Sequence, residues 1–269
     1  MDLAIRRFGR PAREMVGVYQ TAASDGAPRA RFLLCRPLGQ EAVRTAAIYR
    51  VVGERLARER CESLRFDYHG TGDSPGQEED QSLSGWLDDT LAAHEQLQDH
   101  GDEVPVIWFG MGLGATLALR AALRARKPPA QLVLWEPVLD GPTYVRQLME
   151  GHQRELVRMF RVPWDRLLDS GKAVEPDLPG DILGFQVGPS LADELQALRD
   201  VQVAPALRRG VRVLCAVPAE QRGHFADLEN HPEFRMHNIG QITDWMSSQA
   251  MGTAIVPPDL LRAVLSTLD

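Results

Sequence analysis

The chain contains no run of 18 apolar residues, so hydropathy gives no candidate for a membrane-spanning helix. It also lacks an excess of positive charge. With 37 acidic residues against 30 basic ones the net charge is −7, which argues against nucleic acid or an anionic membrane surface as a partner. The opening stretch "MDLAIRRFGRPARE" carries charges where a signal peptide needs an apolar core, so a cytoplasmic location is expected. Cysteines are few. Cys35, Cys61 and Cys215 are odd in number and have no metal-like spacing, so no metal site is expected and each reads as a small buried thiol. Cys35, near a strand end, is the one to weigh as reactive. Internal repeats and low-complexity tracts are absent, and the acidic patch "GQEED" at 76–80 reads as a solvated loop.

What remains is an ordinary globular composition, 44% hydrophobic and 25% charged, in 269 residues. That length suits one α/β domain with room for an inserted subdomain. Apolar runs rich in β-branched and aromatic residues alternate with helical periodicity. "LAIRRF", "EMVGVYQTA" and "ARFLLCRP" read as strands, followed by a helix from about Glu41 to Glu59. "ESLRFDY", a helix over "SLSGWLDDTLAAHEQLQDH", "VPVIWFG", a helix from about Leu113 to Arg126 and "QLVLWEPV" continue the alternation. Such units imply a mostly parallel sheet covered on both faces. From about residue 140 to 205 the alternation stops, and "TYVRQLMEGHQRELVRMF" and "PSLADELQALRD" predict helices of an insertion placed like a lid. "VRVLCAVP", "EFRMHNI" and a closing helix over "PPDLLRAVLSTLD" complete the chain. The expected division is a core of 1–139 and 206–269 with a helical lid at 140–205.

The stretch "VIWFGMGLGATLAL" (106–119) runs from a strand through glycines into a helix. Gly110-x-Gly112-x-x-Ala115 satisfies the dinucleotide fingerprint, and Glu136 follows the next strand where a ribose-binding acid would stand. Its place in the chain argues the other way, because that fingerprint normally opens the first strand–helix–strand unit and here several strands precede it.

Those preceding strands carry a signature of their own. "CRPLGQE", followed after a helix by "LRFDYHGTGDSPG", closely resembles the opening half of α/β-hydrolases of the serine aminopeptidase-like group. "LVLWEPVLDGPTYVRQL" and "DILGFQVGPSLADELQAL" resemble hydrolases associated with the exosortase A system, which accompany exopolysaccharide and cell-surface export genes. The likeness covers roughly residues 28 to 205. It implies an α/β-hydrolase fold, eight-stranded and mostly parallel. It also implies that "GMGLG" is the nucleophile elbow G-x-S-x-G with Gly112 in place of serine. On the same resemblance, backbone N–H groups of Leu38 and Leu113 form an oxyanion hole. Gly110, Gly112 and Gly114 are expected in a tight turn, with the Leu113 N–H aimed into a cavity.

An esterase mechanism needs a nucleophile, a histidine to take its proton and an acid to orient the histidine. Gly112 has neither oxygen nor sulfur, and Met111 and Leu113 cannot substitute. Glu136, Asp140 and Glu220 are candidates for the acid, although carboxylates at strand ends are commonly solvated or capping. No histidine follows His237, which falls within the last strand, and Trp245 stands in the segment that should carry the base. His224 and His231 fall in the preceding loop. Two triad members are thus missing independently.

Among other residues, His69 in "DYHGTGDS" lies at the sheet's carboxyl edge and is a candidate ligand contact or acid/base, set against a solvent-facing turn residue. Asp67, Gly70 and Gly72 read as shaping that turn, Ser74 as structural rather than nucleophilic, and Glu41 as an acidic residue favoured by the helix dipole. Tyr144, Leu148, Phe160 and Trp164 are most simply core, although the inner face of a lid often lines an acyl pocket. The expected protein is hydrolase-like but lacks the serine and the usual histidine. It would act without hydrolysis, as a binding or accessory protein in a biosynthetic pathway such as polysaccharide synthesis. Its partner would be a small acyl-type ligand or a pathway protein, with no cofactor, no metal and no nucleic acid. The alternatives are an enzyme for an ester, thioester or related acyl substrate that uses the surviving oxyanion hole with His69 or a carboxylate, and a dinucleotide-binding protein.

Overall fold

A computed structural model describes residues 2–24, 26–98, 104–199, 201–239, 245 and 256–268. Strands β1 (Leu3–Arg10) and β2 (Arg13–Gln20) form an antiparallel pair joined by a tight turn. β3 (Arg31–Cys35), β4 (Glu62–Asp67), β5 (Val106–Met111), β6 (Gln131–Trp135), β9 (Arg212–Val217) and β10 (Phe234–Asn238) are mutually parallel. The eight strands lie in the order β1-β2-β4-β3-β5-β6-β9-β10, with β2 antiparallel to β4. The mostly parallel sheet expected from the alternation is present, with the eight strands that the resemblance implies.

β3 and β5 are buried at every position because the sheet is covered on both faces. On one side α1 (Gly39–Arg58) and α8 (Pro258–Leu265) pack on Phe32, Leu34, Phe109 and Trp135. On the other, α2 (Leu83–Gln98) and α3 (Leu113–Arg124) pack on Leu33, Trp108 and Leu134. Consecutive residues of one strand therefore serve opposite cores, which explains why these strands read as continuous apolar runs rather than alternating ones. Each large apolar side chain so buried contributes about 1.5–3 kcal/mol.

Between β6 and β9 come α4 (Gly141–Phe160), α5 (Trp164–Asp169), a hairpin of β7 (Gly180–Ile182) and β8 (Phe185–Val187), α6 (Pro189–Ala197) and α7 (Ala204–Arg208). The two helices expected here are present, while α5 and the hairpin are additions. α7 straddles the expected boundary at 205–206 and buries Ala206 and Leu207 in the core that α3 faces. Tyr144 and Leu148 are buried as expected. Phe160 is not, at 42% exposure, and Trp164 is half-buried, because both sit where α4 ends and α5 begins, on the outer side of the insertion.

Candidate functional site

β5 ends in a turn whose central residue, Gly112, has φ +53° and ψ −128°. A residue with a Cβ is strained there by about 1–3 kcal/mol, whereas glycine is not. The Gly112 N–H donates to the Trp135 carbonyl (2.9 Å), which ties the turn to the end of β6, and α3 starts at Leu113. The flanking glycines are there for close packing. A Cβ on Gly110 would lie 2.6 Å from Ala115 N, and one on Gly114 would collide with the carbonyls of Cys35 and Arg36. The first turn of α3 thus rests directly on the end of β3, next to Pro37 and Leu38. Among the described residues neither the Leu38 N–H nor the Leu113 N–H has a hydrogen-bond partner, although both residues are buried.

The Cβ direction at Gly112 is open. A Cβ there would meet only Glu41 Oε2 at 3.4 Å and Pro37 Cβ at 3.6 Å, both ordinary contacts. Glu41 lies in the first turn of α1, and its Oε2 accepts the Tyr144 hydroxyl of α4 (3.0 Å). Burial, reinforced by the neighbouring Glu41 carboxylate, holds the Tyr144 phenol well above its ordinary pKa. Where the resemblance calls for a serine hydroxyl, the turn faces a carboxylate with a phenol on it. One turn along α1, Arg44 pairs with Glu155 of α4 (3.8 Å) and donates to the Trp245 carbonyl (3.1 Å).

Glu136 follows β6 directly, one residue beyond the carbonyl that Gly112 binds, and has φ +48°. Its Oε2 accepts the indole N–H groups of Trp135 (3.2 Å) and Trp245 (3.4 Å). Burial raises its pKa above the usual carboxylate range, and the indole hydrogen bonds oppose the rise. Trp245, which lies in the segment expected to carry the histidine, thus partners Glu136. The rest of the segment that should carry that histidine, 240–244 and 246–255, lies outside the described residues.

The remaining candidates are placed elsewhere. His69 Nδ1 faces the Glu14 carbonyl (3.2 Å), its backbone N–H donates to Asp89 (3.0 Å), and its ring lies against Gly76. These contacts hold His69 on the β2 side, and none joins it to Gly112 or Glu41. Ser74 Oγ donates to the Asp67 carbonyl (2.6 Å) and accepts the Val16 N–H (2.8 Å), so its hydroxyl clamps β4 to β2. Gly72, at φ +53°, leaves no room for a Cβ beside the Asp67 carboxylate, which also pairs with Arg36. The Gly70 N–H donates to Pro75, closing the same turn. Asp140 caps α4 by accepting the Thr143 N–H (2.9 Å), and hydrogen bonding from the Thr143 side chain, then from its N–H, holds the carboxyl below the usual range.

Glu220 and His224 are exposed on a 3-10 run, Ala219–Leu228, and His231 is half-buried. His237 lies in β10, its ring 6.4 Å from that of Trp135. All three cysteines are buried, and burial raises each thiol, to about 11 for Cys61 and about 12 for Cys215, so they remain neutral thiols. Among the described residues no group of three or more His, Cys, Asp or Glu is placed to hold a metal ion. No helix among them is long and apolar enough to cross a membrane.

A cavity of about 100 Å³ lies beside Leu38, walled by Pro37, Tyr68, Trp86 and Phe185. Pro37 stands between this cavity and the open side of Gly112. Sequence reasoning read Tyr144 as core or pocket lining and Glu41 only as a dipole partner, and missed the contact between them. The two are 103 positions apart, and only the folded insertion joins them.

This sheet order, with a glycine-flanked turn at the end of a central strand, is that of the α/β hydrolases. Residues 26–176, more than half of the chain, match the family described as serine aminopeptidase S33 (Hydrolase_4), and the chain belongs to that family. A proline iminopeptidase of Mycobacterium smegmatis superposes with a TM-score of 0.61 at 15% identity, over 98% of this chain and 97% of that one. Mouse alpha/beta hydrolase domain-containing protein 10 superposes with a TM-score of 0.55 at 18% identity, over 100% and 99%. At these identities the likeness establishes the fold. In sequence, the chain is 41% identical over 76 residues to an uncharacterized protein of Mycobacterium tuberculosis, covering 28% of this chain and 25% of that one. It is 40% identical over 70 residues to the mitochondrial palmitoyl-protein thioesterase ABHD10 of Homo sapiens, covering 24% and 22%. The matches thus span about a quarter of the length of these curated relatives.

Proposed function

We propose that this α/β-hydrolase family member binds a small carbonyl- or acyl-bearing ligand at the Gly112 turn without the serine-histidine reaction, as a binding or accessory protein of a biosynthetic pathway. One observation carries this. The side-chain direction of Gly112 opens onto Glu41 Oε2 at 3.4 Å, so the position of a nucleophilic hydroxyl faces a carboxylate already engaged by Tyr144. The N–H groups of Leu38 and Leu113, without a partner among the described residues and the latter at a helix start, support binding of a carbonyl oxygen there. Without a serine at Gly112 no acyl-enzyme forms there, and among the described residues no histidine has a contact with the turn.

A second reading is favoured by the same carboxylate. Glu41 would take a proton from water as it adds to an ester or thioester carbonyl held by the two N–H groups, and would return that proton to the leaving alcohol or thiol. The likeness to a palmitoyl-protein thioesterase supports an acyl ligand in either case. Incubation of purified protein with a short-chain nitrophenyl ester and with a fluorophosphonate label separates the two. The expected outcome is no labelling and no turnover above buffer. Turnover abolished by Glu41→Gln, still without labelling, would replace the first reading with the second.

A further inference from the structure

On the α1 side of the sheet, away from the Gly112 turn, a groove of about 460 Å³ runs between α1 and strands β2 and β4. Its floor carries Arg65, which pairs in register with Val18 of β2 and Leu34 of β3. Its wall is α1, where Ala46 and Ala47 leave space and Arg50 stands one turn further on. Arg36 closes one end.

The three guanidiniums differ in a decisive way. Arg36 pairs with Asp67 and Arg50 with Glu54, whereas Arg65 is half-buried and has no hydrogen bond or ion pair among the described residues. Burial, and then the charges of Arg36 and Arg50, lower its proton affinity, with Asp67 and Glu54 only partly offsetting them. The Asp67 and Asp73 carboxylates also line the groove, but neither is within ion-pair distance of Arg65, so its half-buried guanidinium stands beside two other cations without a direct partner among the described residues. The volume is within the range of small-molecule sites.

We infer that the groove binds an amphiphilic monoanion, a carboxylate on a medium-length alkyl chain, with the carboxylate on Arg65 and the chain along Val16, Val18, Ala46 and Ala47. A single unpaired guanidinium calls for one negative charge, and a planar carboxylate accepts its fork in two parallel hydrogen bonds. The apolar floor and wall take the chain, each buried methylene adding to affinity. The Arg36–Asp67 pair, which lines both this groove and the cavity beside Leu38, divides the two.

Calorimetric titration with decanoate, decanol and acetate tests this on the full chain. Decanoate is expected to bind at least about tenfold more tightly than decanol or acetate. Arg65→Gln should remove that preference while melting no lower than the parent, since it takes away an uncompensated charge. Ala47→Glu places a carboxylate beside Arg65 and keeps a good helix former in α1, so it should weaken decanoate to a similar extent. Decanoate bound equally well by both variants, decanol bound as tightly as decanoate, or no decanoate binding by the parent would each overturn the inference. Because ester turnover and fluorophosphonate labelling do not involve this groove, its failure leaves the proposed role of the Gly112 turn standing.

Discussion

Gly112 stands where the resemblance calls for a serine, at φ +53° and with space for a Cβ. Gly112→Ser restores a hydroxyl in a space that accepts a Cβ, so its cost is that of backbone strain, about 1–3 kcal/mol, visible as a lower melting temperature. Turnover of a nitrophenyl ester is expected to stay at background. The introduced hydroxyl would meet Glu41, already engaged by Tyr144, in place of a histidine, and general-base assistance is worth about 10²–10⁴-fold. Robust turnover with fluorophosphonate labelling would mean that a base reaches the turn after all. The glycines themselves were legible, because a strand, a turn and a helix follow one another within 106–119. Glu41 was not, since an acidic residue in a first helical turn looks the same whether it faces solvent or a turn from another strand. Tyr144 and Trp245 complete the cluster from 103 positions beyond Glu41 and 109 beyond Glu136, distances that no local pattern encodes.

α4 shows how an element is docked by polar contacts that its periodicity cannot announce. Its apolar stripe places Tyr144, Val145 and Leu148 inward, as the spacing implies. The same face carries Glu155, whose side chain is 8% exposed and pairs with Arg44, itself 4% exposed. Glu155→Ala should therefore cost far more than a surface charge change, about 3–5 kcal/mol, because it breaks a buried ion pair. A denaturant melt measures this, and a loss below about 1 kcal/mol would place the pair in the range of surface salt bridges. The three-residue strands of the 180–187 hairpin escaped the sequence because each is too short to set a period of two.

For the molecule as a whole, two buried histidines among the described residues weaken the fold on acidification. His94 Nε2–H donates to the Lys127 carbonyl (2.8 Å) while Nδ1 accepts the Trp108 indole N–H (3.1 Å), an arrangement that requires the neutral ring. His152 Nδ1 accepts the Leu183 N–H (3.0 Å). Burial is the largest cause holding both below the ordinary histidine value. The unfolded chain then binds more protons than the folded one between the lowered values and about 6.5. Stability is fully present above about pH 6.5 and is lost as pH falls through the folded values. Melting temperatures from pH 8 to pH 5 should show this decline, and His94→Gln should flatten it; an unchanged slope would remove His94 as a cause. Fold class was readable at this level because alternating apolar runs and helical periods extend over most of the chain. The histidines' protonation was not, because it depends on which strand and helix bury them.

The hydrogen bond between Trp108 and His94, with the two rings 4.9 Å apart, also gives the protein an optical sensor of its own state. A neutral imidazole that accepts the indole proton leaves Trp108 in an apolar surround, where its emission is blue-shifted. A protonated imidazole can no longer accept that proton, and as an electron acceptor it quenches the indole. Because burial lowers the His94 value, loss of blue emission is expected only well below about pH 6.5, and Trp108→Phe separates this signal from those of the other four tryptophans.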